Sequence, residues 1–162
     1  MAIAKIDEAL ALLHMLEDKG LNSDIGLYNV IIDGTGKNED LDSAKEFFDG
    51  LPLKGLKPNV QTYTVLINGL CLNMQFNEAK VYSVKMEEDG CLTNSVTYKV
   101  IAQGFLKGDK CNEVVPILKE MVERGFTPDS STFELLLDQL PSEGQDSSLM
   151  DMIRKFGPGK KE

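Results

Sequence analysis

The sequence predicts an all-α fold, a solenoid of stacked antiparallel helix pairs. Three observations carry that prediction. First, four columns of residues recur every 35 positions: Tyr28, Tyr63 and Tyr98 with Phe133 in the next slot; Gly34, Gly69 and Gly104; Gly20, Gly55, Gly90 and Gly125; and Asp24, Asn59, Asn94 and Asp129. Independent columns at one fixed spacing mark a supersecondary unit that is repeated and stacked. Second, apolar residues inside each unit recur at helical spacing. Third, no alternating β-branched run bounded by turn signals competes with that reading.

The elements follow in order. Residues 5–24 match the second half of a unit, with Ile6, Ala9, Leu12, Leu13 and Leu16 on one face and Gly20 at the end. Residues 25–59 form a unit with Tyr28, Ile31 and Ile32 on a first helix and Leu41, Ala44, Phe47, Phe48 and Leu51 on a second. Residues 60–94 repeat it with Tyr63, Leu66, Ile67, Leu70 and Cys71, a break at Asn73, then Phe76, Ala79, Tyr82, Val84 and Met86. Residues 95–129 repeat it again with Tyr98, Ile101, Ala102 and Phe105, then Cys111, Val114, Ile117, Leu118 and Met121. Glycines 20, 55, 90 and 125 close the second helices, where a left-handed residue ends a helix well. Glycines 34, 69 and 104 sit inside first helices, where each costs about 1 kcal/mol against alanine; that recurrent cost implies a close approach of two helices. Pro52 is expected to end its helix near Gly50–Leu51, and Pro116 to occupy a first turn. Residues 130–140 supply one more first helix with Phe133, Leu136, Leu137 and Leu140. "LMDMIRKF" predicts a short helix covering the last apolar face, about the ninth in the chain, and "GPGKKE" a tail.

Bulk properties exclude several classes. The 162 residues, 42% hydrophobic and 27% charged, have the balance of a soluble globular chain. No apolar run approaches the roughly 20 residues that span a bilayer. The start, "MAIAKIDEALALL", reads as a helix cut mid-repeat rather than a signal or transit peptide, so any targeting segment is expected outside these residues. The three cysteines, Cys71, Cys91 and Cys111, form no metal or redox spacing and read as buried reduced thiols. "GTGK" at 34–37 lacks the spacing of a phosphate loop and reads as a helix end, and His14 as a helix-face residue. No paired carboxylates, metal cluster or nucleophile arrangement supports catalysis, and no cofactor is implied.

"TYTVLINGLC" at 62–71, "NEAKVYSVKM" at 77–86 and "MVERGFTPD" at 121–129 resemble pentatricopeptide repeats. The likeness runs over residues 5–140 or so. Tetratricopeptide repeats step by 34 residues and carry tryptophan; this chain has no Trp. The uninterrupted spacing and wording such as "LINGLC" are similar to plant pure-class members, including fertility-restorer-like proteins. The resemblance implies a right-handed superhelix, a mitochondrial (alternatively chloroplast) protein, and single-stranded RNA bound one base per repeat. It implies base readers at the residue after the first-helix aromatic and at the last residue of the unit. These are Asn29 with Asn59, Thr64 with Asn94, and Lys99 with Asp129. It implies cytosine for the first pair and adenine for the second; Lys99 departs from the usual Asn, Thr or Ser, and Glu134 departs further. It implies a base clamp at Gly26, Gln61, Val96 and Ser131, of which Val96 is the apolar one and Gln61 can still stack. Lys37 and Lys107 match the phosphate-approaching lysines, and Leu72 does not.

The residues themselves leave alternatives open. Asp24, Asn59, Asn94 and Asp129 stand where N-caps are favoured, with or without a base to read. Asn29 and Thr64 fit an exposed polar helix face, and Lys37 and Lys107 fit ordinary solvated lysines. The net charge of −9 opposes phosphate binding. Its distribution is uneven, however. The first helices at 25–37, 60–72 and 95–107 carry Asp33, Lys37, Lys99 and Lys107, while the second helices and their turns at 38–54, 73–89 and 108–124 carry thirteen acids against seven bases. In a right-handed solenoid of hairpins the first helices line the groove, which is then neutral to slightly positive. A groove of this kind also suits a protein partner, held as a peptide, and the acidic wall would favour a basic one. No membrane partner is implied.

Overall fold

A computed structural model describes residues 2–21, 23–108 and 110–139. These hold eight α-helices and no strand: α1 (Ala2–Asp18), α2 (Ile25–Lys37), α3 (Leu41–Asp49), a 3-10 turn (Pro52–Lys54), α4 (Val60–Leu72), α5 (Phe76–Glu88), α6 (Ser95–Lys107), α7 (Cys111–Glu123) and α8 (Ser130–Gln139). The short helix expected at "LMDMIRKF", the tail and Leu140 lie outside the described residues. The chain divides into two compact units, residues 1–93 and residues from 94 onward.

In the first unit α2 is central, packing against α1, α3 and α4, and α4 continues onto α5. Ile31, Ile32, Tyr63, Leu66, Ile67 and Leu70 are fully or almost fully buried there, with Ala44, Phe48, Leu51, Phe76, Ala79 and Met86 closing the core from the second helices. Phe48 sets its edge against Tyr63 at 5.1 Å, and against Tyr82 at 5.6 Å. In the second unit α6 packs on α7 and α8. Tyr98, Ala102, Phe105, Leu106, Val114, Leu118, Phe133 and Leu136 fill its core.

The glycine column behaves as its backbone demands. Gly20, Gly55, Gly90 and Gly125 all have positive φ, between 70° and 91°, and at Gly90 the chain closes with Gly90 N donating to Glu87 O and Cys91 N to Met86 O. The glycines inside first helices serve close approach. A Cβ added at Gly34 would stand 2.5 Å from Ile6 Cγ1 on α1, and Gly69 on α4 meets Gly36 on α2, backbone to backbone.

Four details depart from the sequence reading. Pro116 lies inside α7 rather than in its first turn, so the carbonyl one turn back has no proline N–H to accept. Val84 is exposed: at 3.6 residues per turn it points about 140° away from Ala79. Leu12 and Leu137 are exposed too, while their neighbours Leu13 and Leu136 take the core direction. Cys91 is only half-buried, its Sγ 3.5 Å from Pro58 O. Cys71 is buried as expected, and burial pushes its thiol up to about 12. Pro52 acts as anticipated: α3 stops at Asp49 and the proline starts the 3-10 turn.

Candidate nucleic-acid interface

The site is built on the N-termini of the first helices. Asp24, Asn59, Asn94 and Asp129 are all N-caps, each accepting from the backbone N–H three residues on, at Leu27, Thr62, Thr97 and Thr132. A short side-chain oxygen at this position satisfies a donor the helix cannot. The cap therefore fixes each of these side chains at the seam where the next repeat begins.

The seam is also where the preceding first helix ends its reach. Asn29 Nδ2 donates to Asn59 Oδ1 at 3.4 Å, across thirty residues of chain. Lys99 Nζ pairs with Asp129 Oδ2 at 3.1 Å, again across thirty residues. Two of the three expected reader pairs are thus in direct contact. Thr64 lies in the first unit and Asn94 opens the second. The amino groups of Asn59 and Asn94 donate to nothing among the described residues, and both residues are exposed.

Asn29 and Thr64 are not the exposed polar positions that one alternative expected. They retain only 2% and 8% of their surface. Asn29 is covered by Asn59, the last residue of its own repeat, and by Thr62 of the next. Thr64 turns its hydroxyl onto the Val60 carbonyl at 2.8 Å, a bond back along its own helix. Gln61 and Val96 stand exposed near the start of α4 and α6, Val96 at 59%.

The lysines differ among themselves. Lys37 pairs with Asp33 one turn earlier at 3.1 Å. Lys99 is held by Asp129. Lys107 is exposed at the end of α6 with no partner among the described residues. Asp129 is the most constrained group in the site. The Thr132 backbone N–H, followed by the Thr132 hydroxyl, Lys99 and Ser131, holds its carboxyl well below the usual carboxylate range.

The sequence reading missed the threonines. Thr62, Thr97 and Thr132 are buried to 0%, 0% and 2% exposure, and each places Oγ1 within 3.0 Å of the N-cap oxygen. They recur at 35-residue spacing too. That column was visible, but a polar residue beside the core-facing tyrosine was not read as part of the site. Gln103 was missed as well; its Nε2 reaches Ser131 and Thr132 at 2.9 and 3.2 Å.

Models of the PPR repeat family match residues 23–72, and models of the PPR repeat match residues 61–91 and 96–126. Together they account for 23–91 and 96–126, more than half of the chain. This chain belongs to the PPR repeat family. No curated protein matches its sequence. Solved PPR structures do match its fold. The pentatricopeptide repeat protein PPR10 in complex with an 18-nt psaJ RNA element is 22% identical, with a TM-score of 0.78, over 94% of this chain and 22% of that one. PPR10 from maize is 24% identical with a TM-score of 0.67, over 91% and 21%. The PPR domain of Arabidopsis thaliana protein-only RNase P 1 in complex with tRNA is 18% identical with a TM-score of 0.76, over 93% and 80%. At such identities the likeness is one of fold, the all-α solenoid of PPR helix pairs. The chain spans about a fifth of the PPR10 chains it matches. Among the described residues no helix is long and apolar enough to cross a membrane, and no cluster of His, Cys, Asp or Glu is arranged to hold a metal.

Proposed function

We propose that this chain is a single-stranded RNA-binding module that reads one base per repeat and acts by occupying its site. Catalysis, where a larger protein carries it, belongs to other domains, although the fold is shared with the PPR domain of an RNase P. The transcripts would be organellar, with the mitochondrion preferred to the chloroplast on the resemblance of its repeats to the pure class. One observation supports the reading above others: the residue after the aromatic of one repeat meets the N-cap of the next, and that cap keeps an exposed amino group without a partner among the described residues. A base edge is recognised by donors and acceptors held in fixed positions. RNA bound to PPR10 and tRNA bound to the RNase P domain add the precedent of the fold.

Asn29 with Asn59 is assigned to cytosine and Thr64 with Asn94 to adenine, in 5′ to 3′ order along the chain. Lys99 with Asp129 forms a neutral pair and is assigned no base. Val96 and Gln61 serve as stacking surfaces, and Lys107 serves the phosphates, while Lys37 stays paired with Asp33. Two or three stacked bases at roughly 1–3 kcal/mol each, less ordering costs, give micromolar or weaker affinity. The test is a titration of short oligomers differing at the second base. Asn94→Asp should move the preference from adenine toward guanine, because a carboxylate only accepts where the amide also donates. Unchanged preference would overturn the reader assignment, and no binding at low salt would overturn RNA binding and favour a peptide partner.

A further inference from the structure

We propose that the buried threonine at the third position of α4, α6 and α8, Thr62 above all, is a positioning residue that sets which edge of the base is read; the proposal rests on the RNA reading above. An asparagine amide offers a carbonyl on one side and an amino group on the other, and half a turn about its last torsion exchanges them. A reader asparagine is selective only if that turn is blocked.

Thr62 blocks it in two ways. Its backbone N–H donates to Asn59 Oδ1 at 2.9 Å, which turns that carbonyl inward and leaves the Asn59 amino group outward. Its hydroxyl lies 2.6 Å from Asn29 Oδ1 and 2.8 Å from Asn59 Oδ1, and accepts from Asn59 N at 3.1 Å. A hydroxyl has one proton, and the shorter contact gives it to Asn29. Both carbonyls are then turned in. Reversing Asn29 would set its oxygen against Asn59 Oδ1, acceptor facing acceptor, where its Nδ2 now donates at 3.4 Å. Asn29 is buried and spends its amino group on Asn59, so the pair presents the exposed Asn59 amino group, a donor, which suits the N3 and O2 acceptors of cytosine. The contact between hydroxyl and cap recurs: Thr97 Oγ1 is 3.0 Å from Asn94 Oδ1, and Thr132 Oγ1 is 2.8 Å from Asp129 Oδ1.

The experiment uses the 15N-labelled chain and four short RNA oligomers differing at the base assigned to Asn29 and Asn59. Wild type should bind the cytosine oligomer about tenfold more tightly than the adenine one. Thr62→Val, nearly isosteric, should narrow that ratio to about threefold or less, and Thr62→Ser should restore it. A folded Thr62→Val protein that keeps the wild-type ratio overturns the proposal and leaves RNA reading intact. Wild type that binds no oligomer, or all four alike, overturns the RNA reading and this proposal with it. If Thr62→Val does not fold, Thr97→Val makes the same test at the adenine position beside Asn94, with the same two outcomes.

Discussion

At the scale of single residues, the tyrosine column was fully legible and the threonine column was not. Tyr63 combines an apolar body with helical spacing, so its burial follows from periodicity alone. It is completely buried, edge-on to Phe48, with its hydroxyl donating to Asp89. Tyr63→Ala should cost roughly 3–5 kcal/mol as a large-to-small core change. Tyr63→Phe should cost only about 1 kcal/mol, because the exposed Asp89 recovers its partner from water. Urea unfolding of the two variants checks both, and a similar cost for each would mean that the hydroxyl, not packing, holds the site. Thr62 escapes periodicity because its role lies in one hydroxyl that reaches two amides of the preceding repeat. Asp129 yields a pH prediction. Its carboxyl titrates below its ordinary value of 3.8, first because of the Thr132 N–H. A depressed carboxylate adds stability that is present above the unfolded value and is lost as pH falls through the acid range. Asp129→Asn keeps a cap but does not titrate. The stability gap between wild type and this variant should therefore shrink between about pH 5 and pH 2. A gap constant over that range would show that Lys99 and the cap do not bias the proton.

At the scale of elements, the 35-residue register placed the first helices because cap and aromatic fall in fixed order, followed by a glycine in α2, α4 and α6. The second helices were less legible. Their apolar residues are fewer, and Val84 shows that an apolar residue on a half-exposed helix need not face inward. The glycines of first helices were read as sites of close approach, but the partners were not in the sequence: Gly69 meets Gly36, two residues beyond the member of its own column, and Gly34 meets Ile6. A Cβ on Gly69 would stand 3.2 Å from Gly36 Cα, where backbone has no rotamer to yield. Helix propensity favours Gly69→Ala by about 1 kcal/mol, whereas overpacking costs typically 1–3 kcal/mol. The contact should win, so Gly69→Ala should melt below wild type. A melting temperature that rises would show that α2 and α4 can separate at little cost. Asn73 adds to this seam by donating from Nδ2 to Gly36 O at 3.0 Å and Gly69 O at 2.7 Å.

At the scale of the molecule, charge decides how RNA could be held. The count by helix was legible, since it needs only the register: the first helices of the three full repeats, 25–37, 60–72 and 95–107, are slightly positive and the second helices carry the acidic surplus. The pairing was less so. Lys37 and Asp33 share a helix face at one-turn spacing, but Lys99 and Asp129 meet only because one repeat reaches the cap of the next. With both lysines neutralised at 3.1 Å, Lys107 is the first-helix cation left without a partner among the described residues. Single-stranded nucleic acid releases counterions with a slope of about −0.7 for each phosphate neutralised. One effective contact therefore predicts a slope near −0.7, and affinity that falls only about threefold between 50 and 200 mM salt. Lys107→Ala should flatten that slope toward zero, while Lys37→Ala should change it little because its charge is already spent on Asp33. The measurement is a titration of one oligomer at several salt concentrations. A slope of −3 or steeper in wild type would mean that phosphates meet several cations at once, which the paired lysines cannot supply. Binding in that case would have to use the bases of the second helices, and the groove reading would fail. A shallow slope with retained base preference is the signature of a module that selects by edge and stack and leaves the backbone largely to solvent.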